Sequence, residues 1–256
     1  MNCGEKTVGA EQEERQMKRV EIKKPKLTYY SEEAYKTLRT NLLFCGGDKK
    51  AIVFTSCTQN EGKTQIALNL AISLAEIGKK VLLLDADLRK SVLLGRTKVT
   101  EEIRGLTHFL SRQEVLVNVV YESGIPNLHM IFAGPVPPNP SELLSDKLFD
   151  IMMRNLRDAY DYILIDSPPL GSVVDSAVIA GKCDGAILVI EAGWNSWRFE
   201  QEVKNQLEKA GTPILGAILN KVDMTSQKYY GRYGKYGKYG KYGKYGKYGE
   251  DEKMES

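Results

Sequence analysis

The fold is decided by one stretch, Thr55-Ser56-Cys57-Thr58-Gln59-Asn60-Glu61-Gly62-Lys63-Thr64-Gln65. The apolar run before it, residues 51–54, predicts a buried parallel strand. The apolar residues after it recur with helical spacing, at Ile66, Leu70, Leu74 and Ile77. A loop with Gly-Lys-Thr between a strand and a helix is typical of phosphate binding, because the helix N-terminus offers unpaired N–H groups to an anion. We therefore expect a phosphate loop here, rather than an ordinary capped helix start.

Within this loop each residue type suggests a role toward a bound nucleotide. Lys63 is expected to reach the outer phosphates, and the hydroxyl of Thr64 to bind Mg²⁺. The residues expected to contact the nucleotide are Gln59, Asn60, Glu61, Gly62, Lys63, Thr64 and Gln65. Cys57 stands where the usual pattern has glycine, so it is interpreted either as a small replacement or as a redox-sensitive thiol.

Aspartates end two further apolar runs. Asp85 and Asp87 follow residues 81–84, and Asp166 follows residues 162–165 just before two prolines that cannot continue a strand. Because ligands bind at the C-terminal ends of parallel strands, we expect these carboxylates to lie beside Lys63 at one rim. Mg²⁺ prefers oxygen ligands and keeps several waters, so Thr64, Asp87 and Asp166 are its predicted ligands.

The remaining pattern predicts the fold class. Further buried strands are expected at residues 128–132, 186–190 and 214–219, and helices near 141–158 and 197–209. This alternation predicts an α/β fold with one doubly wound, mainly parallel sheet of the P-loop NTPase type. Asn220 follows the last strand and is predicted to contact the adenine, with a simple strand-end cap as the alternative.

Composition and charge outline the domains. A chain of 256 residues with 42% hydrophobic residues can bury one α/β core, and no apolar run is long enough to span a bilayer. The polar residues 1–28 are predicted to be disordered, and 29–227 to form the folded domain. An amphipathic helix is expected within 29–45, capped by Ser31. Its Glu33, Lys36 and Arg39 lie roughly along one face, either solvated or contacting a neighbouring subunit.

The C-terminal tail, residues 228–256, is a repeat of Lys-Tyr-Gly with no aliphatic residue until its acidic end, and it is predicted to be disordered. Its tyrosines are Tyr229, Tyr230, Tyr233, Tyr236, Tyr239, Tyr242, Tyr245 and Tyr248. Seven cations accompany them, so bases could stack on the tyrosines and pair with the cations. Alternatively the tyrosines accept phosphate, and eight additions of about −1.5 to −2 charge would invert the sign of the segment.

These motifs together resemble the bacterial tyrosine kinases (BY-kinases) of capsular and exopolysaccharide biosynthesis, within the deviant P-loop ATPases that include MinD and ParA. The resemblance runs from about Tyr30 to the C-terminus and includes the phosphate loop, the two aspartate motifs, the tyrosine cluster and residues 134–144. It implies that ATP and Mg²⁺ bind at the loop and that the tail tyrosines are phosphorylated in trans. It also implies that Lys63, Asp85, Asp87 and Asp166 are catalytic, with Asp85 as the candidate proton acceptor.

The resemblance further implies partners. Members of the family form homo-oligomeric rings through a Glu-x-x-Arg-x-x-Arg motif, which here becomes Glu33, Lys36 and Arg39. We expect a separate transmembrane activator of the polysaccharide chain-length-determinant type, a cognate tyrosine phosphatase, and a cytoplasmic location at the inner face of the cell membrane. No specific nucleic acid is expected.

Two other classes of function remain as alternatives. A MinD/ParA-like positioning ATPase would carry a lysine at the place of Thr58, and it would lack the tyrosine tail. A nucleic-acid-binding protein acting through the Lys-Tyr-Gly repeat would show steep salt dependence, but it leaves the three strand-end aspartates unexplained.

Overall fold

The computed structural model describes residues 17–22, 24–98 and 102–223. Strands in these ranges are β1 (Lys18–Arg19), β2 (Glu21–Ile22), β3 (Ala51–Ser56), β4 (Val81–Asp85), β5 (Thr97–Lys98), β6 (Tyr121–Glu122), β7 (Leu128–Ile131), β8 (Tyr162–Asp166), β9 (Gly185–Glu191) and β10 (Ile214–Asn220). Helices are α1 (Tyr29–Phe44), α2 (Lys63–Glu76), α3 (Leu106–Leu110), α4 (Leu116–Val119), α5 (Pro140–Ser145), α6 (Lys147–Ala159), α7 (Asp175–Ala180) and α8 (Trp197–Lys209). The chain divides into two units after Asn220, and the first unit holds all these elements.

Within the described ranges, eight of the strands form one sheet in the order β1-β6-β7-β4-β8-β3-β9-β10. Neighbouring strands are parallel except β6 and β7, which are antiparallel. Strand β3 lies between β8 and β9, whereas β4, the next long strand in sequence, lies beyond β8. Such a change in strand order leaves a crevice at the C-terminal ends of the strands. The predicted doubly wound, mainly parallel sheet is confirmed.

Both faces of the central strands β3, β4 and β8 are buried, which explains why these strands are continuous apolar runs. Ala51 and Val53 of β3 pack into one hydrophobic cluster, with helices α6 and α8. Ile52 and Phe54 pack into a second cluster, with α1 and α2. Side chains alternate across a strand, so the first four residues of β3 contribute in turn to one core and the other.

Several predicted boundaries need correction. Helix α1 begins at Tyr29, and its N-cap is Thr28 instead of Ser31; the Thr28 hydroxyl accepts the Ser31 N–H. The single helix expected near 141–158 is two helices, because Asp146 ends α5 and caps α6 by accepting the Leu148 N–H. Ile77 lies just after α2 and is exposed, so it does not belong to the buried face.

The predicted N-terminal disordered segment also differs in part. Residues 1–16 and 23 lie outside the described residues, but β1 pairs with β6 and β2 pairs with β5. Val20, between these two strands, is buried in the α1/α2 cluster, and its N–H donates to Glu122 O at 2.8 Å. One buried valine and a few ladder bonds are enough to order a polar segment whose composition alone suggests disorder.

In the described ranges, no helix combines the length and apolar character needed to cross a membrane.

The packing of Val20 leads to a stability prediction. Val20→Ala removes two buried methyl groups, so we expect the free energy of unfolding to fall by about 1–3 kcal/mol. The measurement is a urea unfolding curve. Glu21→Ala, at the exposed neighbouring position, is the matched control and should change stability by less than about 0.5 kcal/mol. Equal stability of the two variants would show that the segment is not packed.

Candidate active site

The phosphate loop joins β3 to α2 in a conformation that depends on two left-handed residues. Asn60 has a φ of 66° and Gly62 a φ of 95°, and α2 begins directly afterwards at Lys63. Asparagine tolerates this conformation better than most residues. A Cβ at Gly62 would lie 2.2 Å from Asn220 Nδ2, so only glycine fits there. The sequence motif is therefore present as the predicted strand, loop and helix.

The Glu61 side chain makes contacts within the protein that the sequence did not predict, and the nucleotide contact of this residue remains a prediction. Its fully buried carboxylate accepts hydrogen bonds from Thr58 N (2.5 Å), Thr58 Oγ1 (2.7 Å), Asn195 Nδ2 (2.9 Å) and Glu191 N (3.1 Å). The bonds join the phosphate loop to the segment after β9. The Glu61 side chain thus holds the shape of the loop.

Asn220 also holds the loop. Its Nδ2 donates to the main-chain oxygen of Glu61 at 2.8 Å, and Ala192 N donates to Asn220 O at 2.9 Å. Asn220 is not among the residues that line the cleft. The contact to adenine therefore remains a prediction, while the contact to the loop is observed.

Lys63, Thr64, Asp87 and Asp166 lie together at the C-terminal ends of β3, β4 and β8. The Thr64 hydroxyl donates to Asp166 Oδ2 at 2.6 Å, and Lys63 Nζ lies 3.6 Å from Asp87 Oδ2 and 3.9 Å from Asp166 Oδ1. All four side chains are nearly buried. The predicted cluster of one ammonium, one hydroxyl and two carboxylates is therefore present in space.

Asp85 lies behind this cluster. It pairs with Asp166 in the register of β4 and β8, and its carboxylate accepts the Asp87 N–H at 3.2 Å and the Ser91 hydroxyl. Burial raises the pKa of Asp85, and the nearby Asp166 raises it further. Burial also raises the pKa of Asp166, although Lys63 and Thr64 oppose the shift. These carboxylates therefore retain a proton to higher pH than isolated aspartates do.

A cleft of about 220 Å³ opens above the cluster. The predicted residues that line it are Gln59, Asn60, Gly62, Lys63, Thr64, Gln65 and Asp87, whereas Glu61, Asp85, Asp166 and Asn220 do not. The sequence analysis missed a second set of lining residues, Arg89, Lys90, Val92, Arg96, Pro168, Pro169, Ser172 and Val173. All of these lie in the segments that follow β4 or β8, so their position after a strand-end aspartate was the available signal.

The predicted oligomerisation residues are separated into two groups. Lys36 Nζ pairs with Glu33 Oε1 at 2.7 Å on the exposed face of α1. Arg39 instead donates from Nη1 to Ser73 O (2.8 Å) and Oγ (3.1 Å), which joins α1 to α2. The predicted phosphate acceptors, from Tyr229 to Tyr248, lie outside the described residues.

The Glu61 contacts generate a prediction. In Glu61→Gln an amide NH₂ replaces one acceptor oxygen and faces the Glu191 N–H, so one hydrogen bond is lost. We expect the nucleotide dissociation constant to rise about tenfold, which corresponds to about 1.4 kcal/mol. Titration with a fluorescent ADP analogue measures it. Glu208→Gln, on the exposed side of α8, is the control; equal affinities in the two variants would contradict a loop-holding role.

A second prediction concerns Cys57, which is completely buried and whose pKa is raised to about 12, mainly by burial. At pH 8 only about one thiol in 10,000 would be ionised, and thiolate is the reactive form. We expect iodoacetamide to leave Cys57 unmodified in the native protein and to alkylate it after denaturation, as measured by peptide mass. Rapid native alkylation would restore the redox-sensitive interpretation.

Comparisons with known proteins agree with this geometry. The sequence model of a family described as an AAA domain matches residues 49–198. The chain is 44% identical over 215 residues to the tyrosine-protein kinase CpsD of Streptococcus agalactiae, covering 83% of this chain and 93% of that protein. The kinase domain of the Escherichia coli tyrosine kinase ETK aligns with a TM-score of 0.71 and 33% identity, covering 76% of each chain.

A more distant likeness indicates the wider group. The septum site-determining protein MinD of Pyrococcus horikoshii, complexed with Mg-ADP, aligns with a TM-score of 0.56 and 28% identity, covering 66% of this chain and 69% of that one. The kinase relatives match over more of the chain and with higher identity. The chain therefore belongs to the bacterial tyrosine kinases, within the P-loop ATPases that include MinD, and is a nucleotide-using protein-tyrosine kinase.

Proposed function

We propose that the kinase transfers the γ-phosphoryl group of ATP to its own C-terminal tyrosines, with one copy acting on the tail of another. The observation that carries the proposal is the cluster of Lys63, Thr64, Asp87 and Asp166 beneath the cleft. The same chain carries eight tyrosines in a glycine-rich, aliphatic-poor tail. The roles of the individual residues are part of this proposal.

Mg²⁺ fits the residues that are present. Asp166 Oδ1 is buried, and no hydrogen-bond donor in the described ranges satisfies it. In those ranges, no three His, Cys, Asp or Glu side chains are grouped so that they could hold a metal ion by themselves. Thr64, Asp166 and Asp87 would therefore share the ion with water and phosphate oxygens. When bound, Mg²⁺ would neutralise charge on the phosphates.

The chain's own groups then account for the remaining requirements. Lys63 is placed to balance the negative charge of the transferring group, and backbone N–H groups of the phosphate loop to hold the outer phosphates. A tyrosine hydroxyl has a pKa near 10, so its proton must be accepted during transfer. Asp87 lines the cleft and Asp85 does not, so we assign the hydroxyl contact to Asp87. The proton of that hydroxyl would pass to the Asp87 carboxylate, while Asp85, which accepts the Asp87 main-chain N–H and the Ser91 hydroxyl, would orient the turn that carries Asp87.

We also propose an assembly and a setting. Glu33 and Lys36 on α1 form an exposed charged face, and Tyr29, Tyr30 and Phe44 at the two ends of this helix are exposed apolar residues suited to protein contacts. This face would form the ring and meet a membrane activator at the inner side of the cell membrane. A tyrosine phosphatase would reverse the modification, and the cycle would regulate capsular or exopolysaccharide synthesis.

The test is the intact mass of the full chain after incubation with Mg-ATP. We expect mass gains in multiples of one phosphate, which are abolished by Lys63→Met, by truncation after Gln227, and by removal of Mg²⁺ with EDTA. Lys204→Met, on α8 away from the cleft, is the matched control and should keep the full gain. A gain that survives truncation would place the acceptor tyrosines outside the tail.

The MinD likeness supports one second candidate, a positioning ATPase. ATP hydrolysis with no mass gain, even after the cytoplasmic segment of the activator is added, would favour that candidate and refute tail phosphorylation. To distinguish transfer in trans from transfer within one chain, an active copy is mixed with a catalytically dead copy at several concentrations. Phosphorylation of the dead copy shows transfer in trans, and an unmodified dead copy shows transfer within one chain.

A further inference from the structure

Asp175, the first residue of α7, is a fully buried carboxylate without a role in the site described above. It accepts hydrogen bonds from Arg89 Nε (2.7 Å), Arg89 Nη2 (3.1 Å) and Ser141 Oγ (2.6 Å). Burial alone would raise the pKa of Asp175, but the hydrogen bonds from Arg89 and Ser141 outweigh it and lower the pKa. Asp175 is therefore an ionised carboxylate in a two-point contact with a guanidinium, which fixes direction as well as distance.

Arg89 connects this buried contact to the cleft. Its side chain is 41% exposed and lines the cleft beside Lys63 and Asp87. A guanidinium has five N–H groups in one rigid plane, and here Nε and Nη2 are engaged by Asp175 and Ser141. Because these contacts hold Nε and Nη2 of the rigid guanidinium, they also set the direction of the two N–H groups on Nη1.

The same contact stabilises the turn that carries Asp87. Asp87 Oδ1 accepts the main-chain N–H groups of Arg89 (3.3 Å) and Lys90 (2.9 Å), so Asp87 and Arg89 belong to one hydrogen-bonded turn after β4. Ser141 lies in α5 and Asp175 in α7, and the three side chains bring both helices to this turn. The proline-rich segment at residues 134–140 leads directly into α5 and thereby places Ser141.

We propose that Asp175 and Ser141 are positioning residues that hold Arg89 and the Asp87 turn in place for phosphoryl transfer. The inference rests on the proposed function and concerns the transfer step, because the phosphate loop at residues 59–65 provides the grip on the nucleotide. A misplacement of about 1 Å in such groups can cost on the order of 100-fold in rate. The competing explanation is a structural ion pair whose loss lowers only stability.

The first experiment measures kcat and the KM for ATP of phosphotyrosine formation in the full-length protein. Asp175→Asn keeps the shape and removes the charge, and we expect kcat to fall about 10- to 100-fold while KM changes less than about threefold. Ser141→Ala should lower kcat in the same direction by a smaller factor. Ser141→Thr keeps the hydroxyl and should restore most of the activity.

A matched control exists at the opposite end of the sheet. Asp184 pairs with Arg157 Nη2 at 3.1 Å and accepts the main-chain N–H groups of Lys50 and Ala51 at the start of β3. Asp184→Asn should lower the melting temperature yet keep kcat in the folded fraction. If Asp175→Asn loses activity only in proportion to unfolding, as this control does, the positioning role is overturned.

A double-mutant cycle tests whether Asp175 acts through Arg89. In an Arg89→Lys background, which loses the planar fork, Asp175→Asn should lower kcat by less than about twofold further. Independent, multiplying losses would overturn the inference. If the wild-type chain forms no phosphotyrosine even after the cytoplasmic segment of the activator is added, the proposed function fails. The ATP hydrolysis rates of the same variants still decide the positioning role, because equal rates for wild type and Asp175→Asn would overturn it.

Discussion

The shared edge where the parallel strands end is the constraint on which the site depends. Asp85 of β4 lies opposite Asp166 of β8 in the strand register, and β3 continues from the same edge into the phosphate loop. The hydrogen bond from Thr64 to Asp166 then joins the first turn of α2 to the end of β8. A shift of one residue in β4 or β8 would turn the aspartate at the end of that strand to the other face of the sheet and separate these groups.

Concentrating charge at a buried edge is costly unless the charges are paired. Asp87 and Asp166 share one ammonium, Lys63, and the buried Asp85 adds a third carboxylate, so the cluster carries excess negative charge if all are ionised. Burial raises the pKa of Asp85 and of Asp166, the neighbouring carboxylates raise both further, and one oxygen of Asp166 is left without a hydrogen bond. A divalent cation would relieve the excess negative charge, which gives the expectation of Mg²⁺ a basis in the charges of the cluster itself.

The parts of the fold that depend on periodicity could be predicted from the sequence, and those that depend on distant partners could not. The strands at residues 51–56, 81–85 and 162–166 and the cluster at their ends follow from apolar runs and strand-end aspartates. The order of residues 17–22 depends on a tertiary partner, β6, which local composition does not reveal. Likewise, the break at Asp146 depends on one capping bond inside a continuous helical pattern.

The partners of buried charged residues were even less predictable from the sequence. Glu61 resembles an ordinary loop residue in sequence, yet its carboxylate accepts bonds from Asn195 and Glu191, far along the chain. Asp175 resembles the acidic first turn of a short helix, yet it holds Arg89. In both cases residues far along the chain from the phosphate loop make the contacts: Asn195 and Glu191 hold Glu61 in the loop, and Asp175 holds Arg89 at the cleft. The motif supplies the groups of the site, and the buried partners determine how closely those groups are held.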